Sequence, residues 1–288
     1  MKGIILAGGT GSRLHPITLG ISKHLLPVYD KPMIYYPLSL LMMANVKDIL
    51  IISDKKDIKH YERILQDGTH FGINISYKIQ DKPEGLAQAF VLGEDFIDNS
   101  STWLALGDNI FHGQGLGHLL SLTSKKDTGA TIFGYNVANP SDFGIVEVDK
   151  NNQPISIEEK PLNPKSNWAV TGLYHYDSDI VEIAKSIKKS ERGEYEISSI
   201  NQIYLENNNL NLEMLGRGYA WLDAGTEDNL LQASQYIGTI QQRLGLLVSC
   251  PEEIALSKEW INQNTILKNL KNMGNNSYTK YLYKLCNF

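Results

Sequence analysis

The chain is poor in cysteine, in net positive charge and in long apolar runs, and each shortage excludes a class of protein. Only two cysteines, Cys250 and Cys286, occur in 288 residues, too few for a disulfide framework or a cysteine-rich metal site. A net charge of −5 argues against a broad nucleic-acid-binding surface. No apolar run approaches a membrane span, and no basic segment followed by an apolar one opens the chain. We therefore expect a globular cytoplasmic protein with no membrane or nucleic-acid partner.

Two common phosphate-binding motifs are also missing. The P-loop pattern Gly-x-x-x-x-Gly-Lys-Ser/Thr does not occur. The dinucleotide pattern Gly-x-Gly-x-x-Gly begins at Gly9 and fails at Leu14, which takes the place of the third glycine. A Rossmann dehydrogenase is therefore disfavoured.

Short apolar runs alternate with helical periodicity over the first 135 residues. Strands are predicted near residues 3–7, 49–52, 75–79, 103–106 and 130–133. Helices are predicted at 35–44, 58–66, 86–95 and 116–124. This alternation predicts an α/β fold with a doubly wound, mostly parallel, Rossmann-like sheet flanked by helices.

The remaining sequence divides into a strand-rich part and a helical tail. Strands are predicted at 143–148, 155–159, 172–176 and 212–215, and helices at 179–187, 198–207 and 227–243. Short amphipathic pieces follow at 252–258 and 278–285. We expect a catalytic domain over 1–243, with a nucleotide-binding part to about 135 and a smaller sugar-binding part over 136–243. The helical tail, 244–288, is expected to pack on the body or on a neighbouring subunit.

A glycine-rich turn follows the first predicted strand. Gly8, Gly9 and Gly11 allow backbone N–H groups to approach phosphate oxygens, because no Cβ stands in the way. Arg13 and Lys23 add positive charge nearby. The alternative is an ordinary tight turn, and the glycines alone do not exclude it.

Two aspartates, one of them directly after a predicted apolar strand, are candidate metal ligands. Asp108 lies in Leu106-Gly107-Asp108-Asn109, and Asp223 follows Trp221-Leu222. Mg²⁺ usually takes one or two carboxylates together with substrate phosphates. Each aspartate taken alone is equally typical of a turn or a helix N-cap.

A second charged signature is Glu158-Glu159-Lys160-Pro161. A carboxylate can accept hydrogen bonds from sugar hydroxyls, and a neighbouring lysine can meet a phosphate as a point charge. A solvated strand end is the simpler alternative.

The pattern from Leu6 to Thr18, together with Lys23 and Pro27-Val28, resembles the signature of the sugar-1-phosphate nucleotidyltransferase family. Stretches 25–39, 168–174 and 215–218 resemble its short bacterial glucose-1-phosphate thymidylyltransferase subfamily. The resemblance runs almost the full length. It departs at His24, where glutamine is usual, and at Ala224, where threonine often follows the aspartate. Neither departure removes a charge that the chemistry needs.

The resemblance implies that the chain joins dTTP to α-D-glucose 1-phosphate with Mg²⁺, giving dTDP-glucose and pyrophosphate, the first step toward dTDP-rhamnose. It implies catalytic roles for Arg13, Lys160, Asp108 and Asp223, the last two as metal ligands. It implies the following nucleotide-binding residues: Leu6, Gly8, Gly9, Thr10, Gly11, Ser12, Arg13, Lys23, Gln80, Gly85 and Asp108. The implied sugar-phosphate-binding residues are Gly144, Glu159, Lys160, Val170, Arg192 and Trp221.

Two other functions stay open at this point. One is a UTP- or ATP-dependent transferase on the same scaffold, and the other is a non-catalytic regulatory subunit that binds nucleotide sugars. The family also implies a homotetramer with a second site that senses a feedback nucleotide sugar. Arg217, Cys250 and Glu253 resemble that allosteric region, although Cys250 is equally compatible with core filling.

Overall fold

The computed structural model describes residues 1–271 and 273–287. Its strands are β1 (Lys2–Leu6), β2 (Pro27–Val28), β3 (Lys31–Pro32), β4 (Asp48–Ser53), β5 (Asn74–Ile79), β6 (Thr102–Leu106), β7 (Asn109–Gly113), β8 (Ala130–Asn136), β9 (Gly144–Val148), β10 (Pro154–Glu159), β11 (Trp168–Tyr176), β12 (Leu210–Leu215) and β13 (Tyr219–Asp223). Its helices are α1 (Tyr35–Met43), α2 (Ile58–Leu65), α3 (Gln88–Leu92), α4 (Glu94–Ile97), α5 (Leu116–Thr123), α6 (Ile180–Ser186), α7 (Ile197–Glu206), α8 (Glu227–Leu244), α9 (Pro251–Ser257), α10 (Gln263–Leu270) and α11 (Ser277–Cys286).

A nine-stranded sheet forms the centre of the molecule. Strands β5, β4, β1 and β6 run parallel in that order, which places their carboxyl ends at one edge. Beyond β6, strand β11 runs antiparallel and pairs with β8 and β9, and β12 joins β8 in parallel. The predicted doubly wound α/β fold is confirmed, with antiparallel strands added in the half assigned to the sugar.

Helices cover both faces of the sheet because the central strands are apolar on both sides. Ile5 of β1 belongs to the core that contains α1, whereas its neighbour Ile4 belongs to the core that contains α3, α6 and α7. Both side chains are fully buried. The backbone at the carboxyl edge is therefore held between two packed layers.

A separate two-stranded ribbon pairs β7 with β13. The strands are antiparallel, and Asp223 lies opposite Asn109. Neither strand was predicted, because each is short and their pairing joins distant parts of the chain. This ribbon determines which side chains meet in the cleft.

One predicted helix is divided in the structure. Residues 86–95 were expected to form a single helix, but α3 ends at Leu92 and α4 begins at Glu94. At Gly93 the backbone leaves helical geometry (φ −90°, ψ 6°), and a Cβ there would lie 3.1 Å from Ile4 Cδ1. The break falls at a glycine, the poorest helix former after proline.

The described residues after 244 are mainly helical, as expected. Helix α9 packs on α1, and α11 packs on α9 and α10, around a small apolar core that includes Cys250 and Ile266. Helix α10 was not predicted. The division of the chain at 135 and 243 stays a prediction. Within the described ranges, no helix is both long and apolar enough to cross a membrane.

Candidate active site

A cleft of about 550 Å³ opens at the carboxyl edge of the parallel strands, where ligands bind in such sheets. Every residue predicted for nucleotide, sugar phosphate or metal lines it: Leu6, Gly8, Gly9, Thr10, Gly11, Ser12, Arg13, Lys23, Gln80, Gly85, Asp108, Gly144, Glu159, Lys160, Val170, Arg192, Trp221 and Asp223. The fold thus brings into one cavity residues from Leu6 to Asp223.

The glycine-rich turn follows β1 directly. Gly9 (φ 102°) and Gly11 (φ 60°) adopt left-handed backbone that other residues rarely take. Thr18 Oγ1 donates to the Gly11 carbonyl at 2.7 Å and holds the turn closed. Leu14 is fully buried, so the residue that breaks the dinucleotide pattern is a core residue. Arg13 stays exposed at the cleft, free to meet an anion.

Asp108 is fixed in the cleft by two donors. Lys23 forms an ion pair with its Oδ2, and Asn109 Nδ2 donates to its Oδ1 at 2.9 Å. Burial is the largest single influence and raises the pKa of Asp108, but the charges of Lys23 and His24 and the hydrogen bonds from Lys23 and Asn109 together lower it to about 2. Asp108 is therefore a carboxylate at neutral pH.

Asn109 is itself held from both sides of the cleft. Its Oδ1 accepts from the indole N–H of Trp221 at 2.6 Å and from the backbone N–H of Gly172 at 3.0 Å. Since that oxygen is used by donors, its amide nitrogen must face Asp108. Sequence reasoning gave Asn109 no role; only its position directly after Asp108 could have suggested one.

Asp223 comes to the same place through the β7–β13 ribbon. The next residue, Ala224, donates its backbone N–H to the Asp108 carbonyl at 3.0 Å. Burial and the nearby charge of Asp108 raise the pKa of Asp223 to about 6, against the opposing effect of Lys23 and Arg13. The negative charge of Asp108 thus disfavours ionisation of Asp223. A cation bound to both carboxylates would offset this repulsion.

The donor set fits a hard divalent cation such as Mg²⁺. Both side chains offer carboxylate oxygens, and such ions commonly complete their shell with water and substrate phosphate. In the described part of the chain there is no cluster of three or more His, Cys, Asp or Glu side chains able to hold a metal. Asp108 and Asp223 would thus hold an ion together with a phosphate-bearing substrate rather than alone.

The other end of the cleft carries Glu159 and Lys160. Lys160 has left-handed backbone (φ 45°), a conformation that costs a non-glycine residue about 1–3 kcal/mol, and its N–H donates to the Phe143 carbonyl at 3.1 Å. Gly144 leaves room for Glu159, since a Cβ there would lie 3.1 Å from Glu159 Oε2. The strained backbone turns Lys160 out of β10 at the mouth of the cleft.

Arg192 lies among three carboxylates at this end. Its guanidinium is 3.8 Å from Glu159, 3.6 Å from Glu196 and 3.5 Å from Glu194. Burial, then the charge of Glu196, raise the pKa of Glu159, while Lys160 and Arg192 oppose the shift. The carboxylates can accept from sugar hydroxyls, and the cations can meet a phosphate.

Trp221 forms the wall between the two ends. Its ring packs on Phe143 at 5.1 Å between centroids and on Tyr135 at 5.9 Å. Because its N–H is bonded to Asn109, the indole is linked to the part of the cleft that holds Asp108.

The third part of the cleft contains Gln80 and Gly85. Gln80 follows β5, is 4% exposed, and its Nε2 donates to Gln88 Oε1 at 2.7 Å. Gly85 (φ 109°) lies against Tyr195, whose backbone a Cβ at this position would meet. A Cβ at Gly8 would collide with Gln80 Oε1, so the first glycine of the turn makes room for this amide.

The three predicted allosteric residues lie outside this cleft. Cys250 is 2% exposed in the core of the tail, and Glu253 accepts from Tyr281 at 2.8 Å. Arg217 is exposed between β12 and β13, and no hydrogen bond or ion pair among the described residues links it to the other two. Their allosteric role stays a prediction.

The chain matches the model of a family described as nucleotidyl transferase over residues 2–239. It is 52% identical to glucose-1-phosphate thymidylyltransferase of Neisseria meningitidis serogroup A and 53% identical to that of Mycobacterium tuberculosis, covering 99% of each chain. The chain belongs to the nucleotidyl transferase family. This membership confirms the family resemblance and the enzyme class predicted from the sequence.

A solved structure supports the same grouping. A Bacillus anthracis protein assigned as a glucose-1-phosphate thymidylyltransferase, in complex with sucrose, superposes with a TM-score of 0.75 at 43% identity. The match covers 82% of this chain and 94% of that one.

Proposed function

We propose that the protein joins dTTP and α-D-glucose 1-phosphate to give dTDP-glucose and pyrophosphate. One observation carries the proposal: a single cleft holds a phosphate-binding turn with Arg13, a carboxylate pair, and a lysine beside a sugar-compatible carboxylate. The order of these groups matches a nucleoside triphosphate at one end and a sugar phosphate at the other.

The reaction needs no general base from the protein. The phosphate of a sugar 1-phosphate has a second pKa near 6, so its attacking oxygen is already largely anionic at neutral pH. The barrier lies in bringing two polyanions into line and stabilising charge at the α-phosphorus. Arg13 would bind the triphosphate and the departing pyrophosphate, Lys160 would hold the sugar phosphate, and Lys23 would add a second phosphate contact.

Asp108 and Asp223 would hold Mg²⁺ with the nucleotide. When bound, the ion would neutralise phosphate charge between the two substrates. Meanwhile Asn109 keeps Asp108 oriented, and Lys23 keeps it ionised.

UTP is the second candidate nucleotide. Uracil presents the same N3–H to Gln80 as thymine does, and one methyl group is worth only about 1–3 kcal/mol of discrimination in an apolar pocket. We therefore expect measurable turnover with UTP even where dTTP is preferred.

The assembly and regulation are proposed on the family resemblance. We propose a homotetramer in the cytoplasm, with a feedback nucleotide sugar bound near Arg217, Cys250 and Glu253. A monomeric mass measured by light scattering would contradict the proposed homotetramer.

The test is pyrophosphate release with glucose 1-phosphate and Mg²⁺, comparing dTTP, UTP, CTP, ATP and GTP. Release led by dTTP is expected. Release led by UTP or ATP would keep the chemistry and change the nucleotide. No release from folded protein with any of the five would overturn the proposal.

A further inference from the structure

The buried amide of Gln80 is oriented by a chain of polar side chains that ends at the protein surface. Lys189 Nζ donates to Glu84 Oε1 at 2.5 Å, and Gln88 Nε2 donates to Glu84 Oε2 at 3.2 Å. Gln88 Oε1 then accepts from Gln80 Nε2 at 2.7 Å. We name Lys189, Glu84 and Gln88 the orienting chain.

Each step of this chain permits only one orientation. A carboxylate only accepts, so Gln88 must turn its NH₂ toward Glu84 and its oxygen toward Gln80. The backbone N–H of Glu84 also donates to that oxygen at 3.2 Å, which supports the same orientation. Gln80 must therefore give its NH₂ to Gln88, and its oxygen is left on the Gly8 side of the cleft.

The segment that carries the chain is fixed by backbone contacts. Tyr195 N–H donates to the Glu84 carbonyl at 2.7 Å, and Ala87 N–H donates to the Tyr195 carbonyl at 3.2 Å. Lys189 also lies over the Tyr195 ring, 5.1 Å from its centroid. The orienting chain is therefore fixed at both ends. The ammonium of Lys189 is held against Glu84 at the surface, and the amide of Gln80 is held against Gln88 in the cleft.

We propose that Lys189, Glu84 and Gln88 are positioning residues that set base selection by forcing Gln80 to present a hydrogen-bond acceptor to the base. An acceptor there pairs with the N3–H of thymine or uracil and faces the unprotonated N3 of cytosine, which it repels. The inference rests on the proposed function. It adds the side chains that distinguish thymine or uracil from cytosine.

The decisive variant is Glu84→Gln. Lys189 can only donate, so the new amide must turn its oxygen to Lys189 and its NH₂ to Gln88. Gln88 cannot simply reverse in response, because its NH₂ would then face the backbone N–H of residue 84. It therefore loses its one satisfied orientation, and Gln80 is free to present either its oxygen or its NH₂ to the base. We expect the ratio of kcat/KM for dTTP over dCTP to fall about tenfold, since Gln80 is no longer held with its oxygen toward the base.

The double variant Glu84→Gln with Gln88→Glu tests the logic of the chain. The amide at position 84 can now donate to an acceptor-only carboxylate at position 88, which again accepts from Gln80 Nε2. The preference for dTTP is expected to return. A merely structural role would make the double variant no better than the single one.

Glu94→Gln is the matched control. Glu94 pairs with Lys185 at 2.5 Å, the same length as the Glu84–Lys189 pair, but it lies on α4 and does not line the cleft. Its nucleotide ratio is expected to equal that of the unmodified protein. Gln88→Met replaces Glu84→Gln if the latter does not fold. It is expected to bring the ratio of kcat/KM for dTTP over dCTP closer to one.

Equilibrium affinities for dTTP and dCTP by calorimetry separate this inference from the proposed function. A tenfold change in their ratio without any turnover would uphold the orienting chain and overturn the transferase assignment. Turnover with an unchanged ratio in Glu84→Gln, or in Gln88→Met where that variant replaces it, would overturn the orienting chain alone.

Discussion

The proposed function assigns one end of the cleft to the nucleotide and the other to the sugar phosphate, and these two ends are built differently. At the nucleotide end, Gln80, Asp108 and Asn109 are fixed by hydrogen bonds of 2.6–3.0 Å. At the sugar end, Arg192 lies 3.5–3.8 Å from three carboxylates and Lys160 is exposed. The first end is organised by the fold before a substrate arrives. The second holds loosely paired charges that a sugar phosphate would have to order.

The largest expected effect is the loss of a charge at the nucleotide end. Arg13→Ala or Asp108→Ala should lower kcat/KM for pyrophosphate release by about 10²–10³-fold, by analogy with a lost oxyanion donor. Arg63→Ala, on the exposed face of α2, is the control and should leave the rate unchanged. A near-normal rate for Arg13→Ala would contradict the view that the nucleotide end contributes more to catalysis than the sugar end.

A second experiment tests whether the sheet beneath the sugar end is well packed and shielded from water, although the ion pairs of that end are loose. Strand β11 carries Val170 at the proposed sugar end and His175 near its other end. His175 is 1% exposed, and its ring packs at a tilt against Trp103 with 4.9 Å between centroids. Burial, together with the charge of Lys126, lowers the pKa of His175 from 6.5 to about 4. Between these values the unfolded chain binds more protons, so stability must fall as the pH falls below about 6.5.

We expect His175 to cost about 2 kcal/mol of unfolding free energy between pH 7 and pH 5. His175→Phe keeps an aromatic ring against Trp103. It should remove this contribution to the pH dependence of the unfolding free energy, measured by urea unfolding followed by circular dichroism. His118→Phe, at an exposed position, should keep it. An unchanged slope in His175→Phe would mean that β11 is open to water.

The third expected effect is smaller and tests the fixed geometry of Asp108. Asn109→Ala removes the donor to Asp108 and leaves the Trp221 indole N–H without its acceptor. We expect about a tenfold fall in kcat/KM, as for one lost hydrogen bond to a charged group, and a higher Mg²⁺ concentration at half-maximal rate. Asn151→Ala, in the exposed turn between β9 and β10, is the comparison. Equal effects of the two would show that Asp108 needs no positioning.

The smallest effect is expected at Arg192. Exposed ion pairs contribute up to about 1 kcal/mol, so Arg192→Gln should raise the KM for glucose 1-phosphate by no more than about fivefold. The KM for dTTP should not change. A loss as large as that of Arg13→Ala would show that the sugar end is as tightly organised as the nucleotide end.

The sequence was informative where chemistry follows a buried strand. The turn at Gly8, Asp108 after β6 and Gln80 after β5 all follow parallel strands, and this order predicts a shared edge. The ribbon that carries Asp223 was not predictable, since β7 and β13 show no periodicity of their own. The role of Gln88 also could not be read from the chain, because it depends on which atom of an amide faces Glu84.

The β7–β13 ribbon has a consequence for the order in which the protein is made. The bond from Trp221 to Asn109 spans 112 residues of chain, so this ribbon closes late in synthesis. A growing chain carries the glycine-rich turn, Gln80 and Asp108 well before Asp223 leaves the ribosome. In the proposed mechanism, such a chain has most of its nucleotide contacts but only one of the two carboxylates. Reactivity is therefore acquired last, when the final strand of the catalytic core is in place.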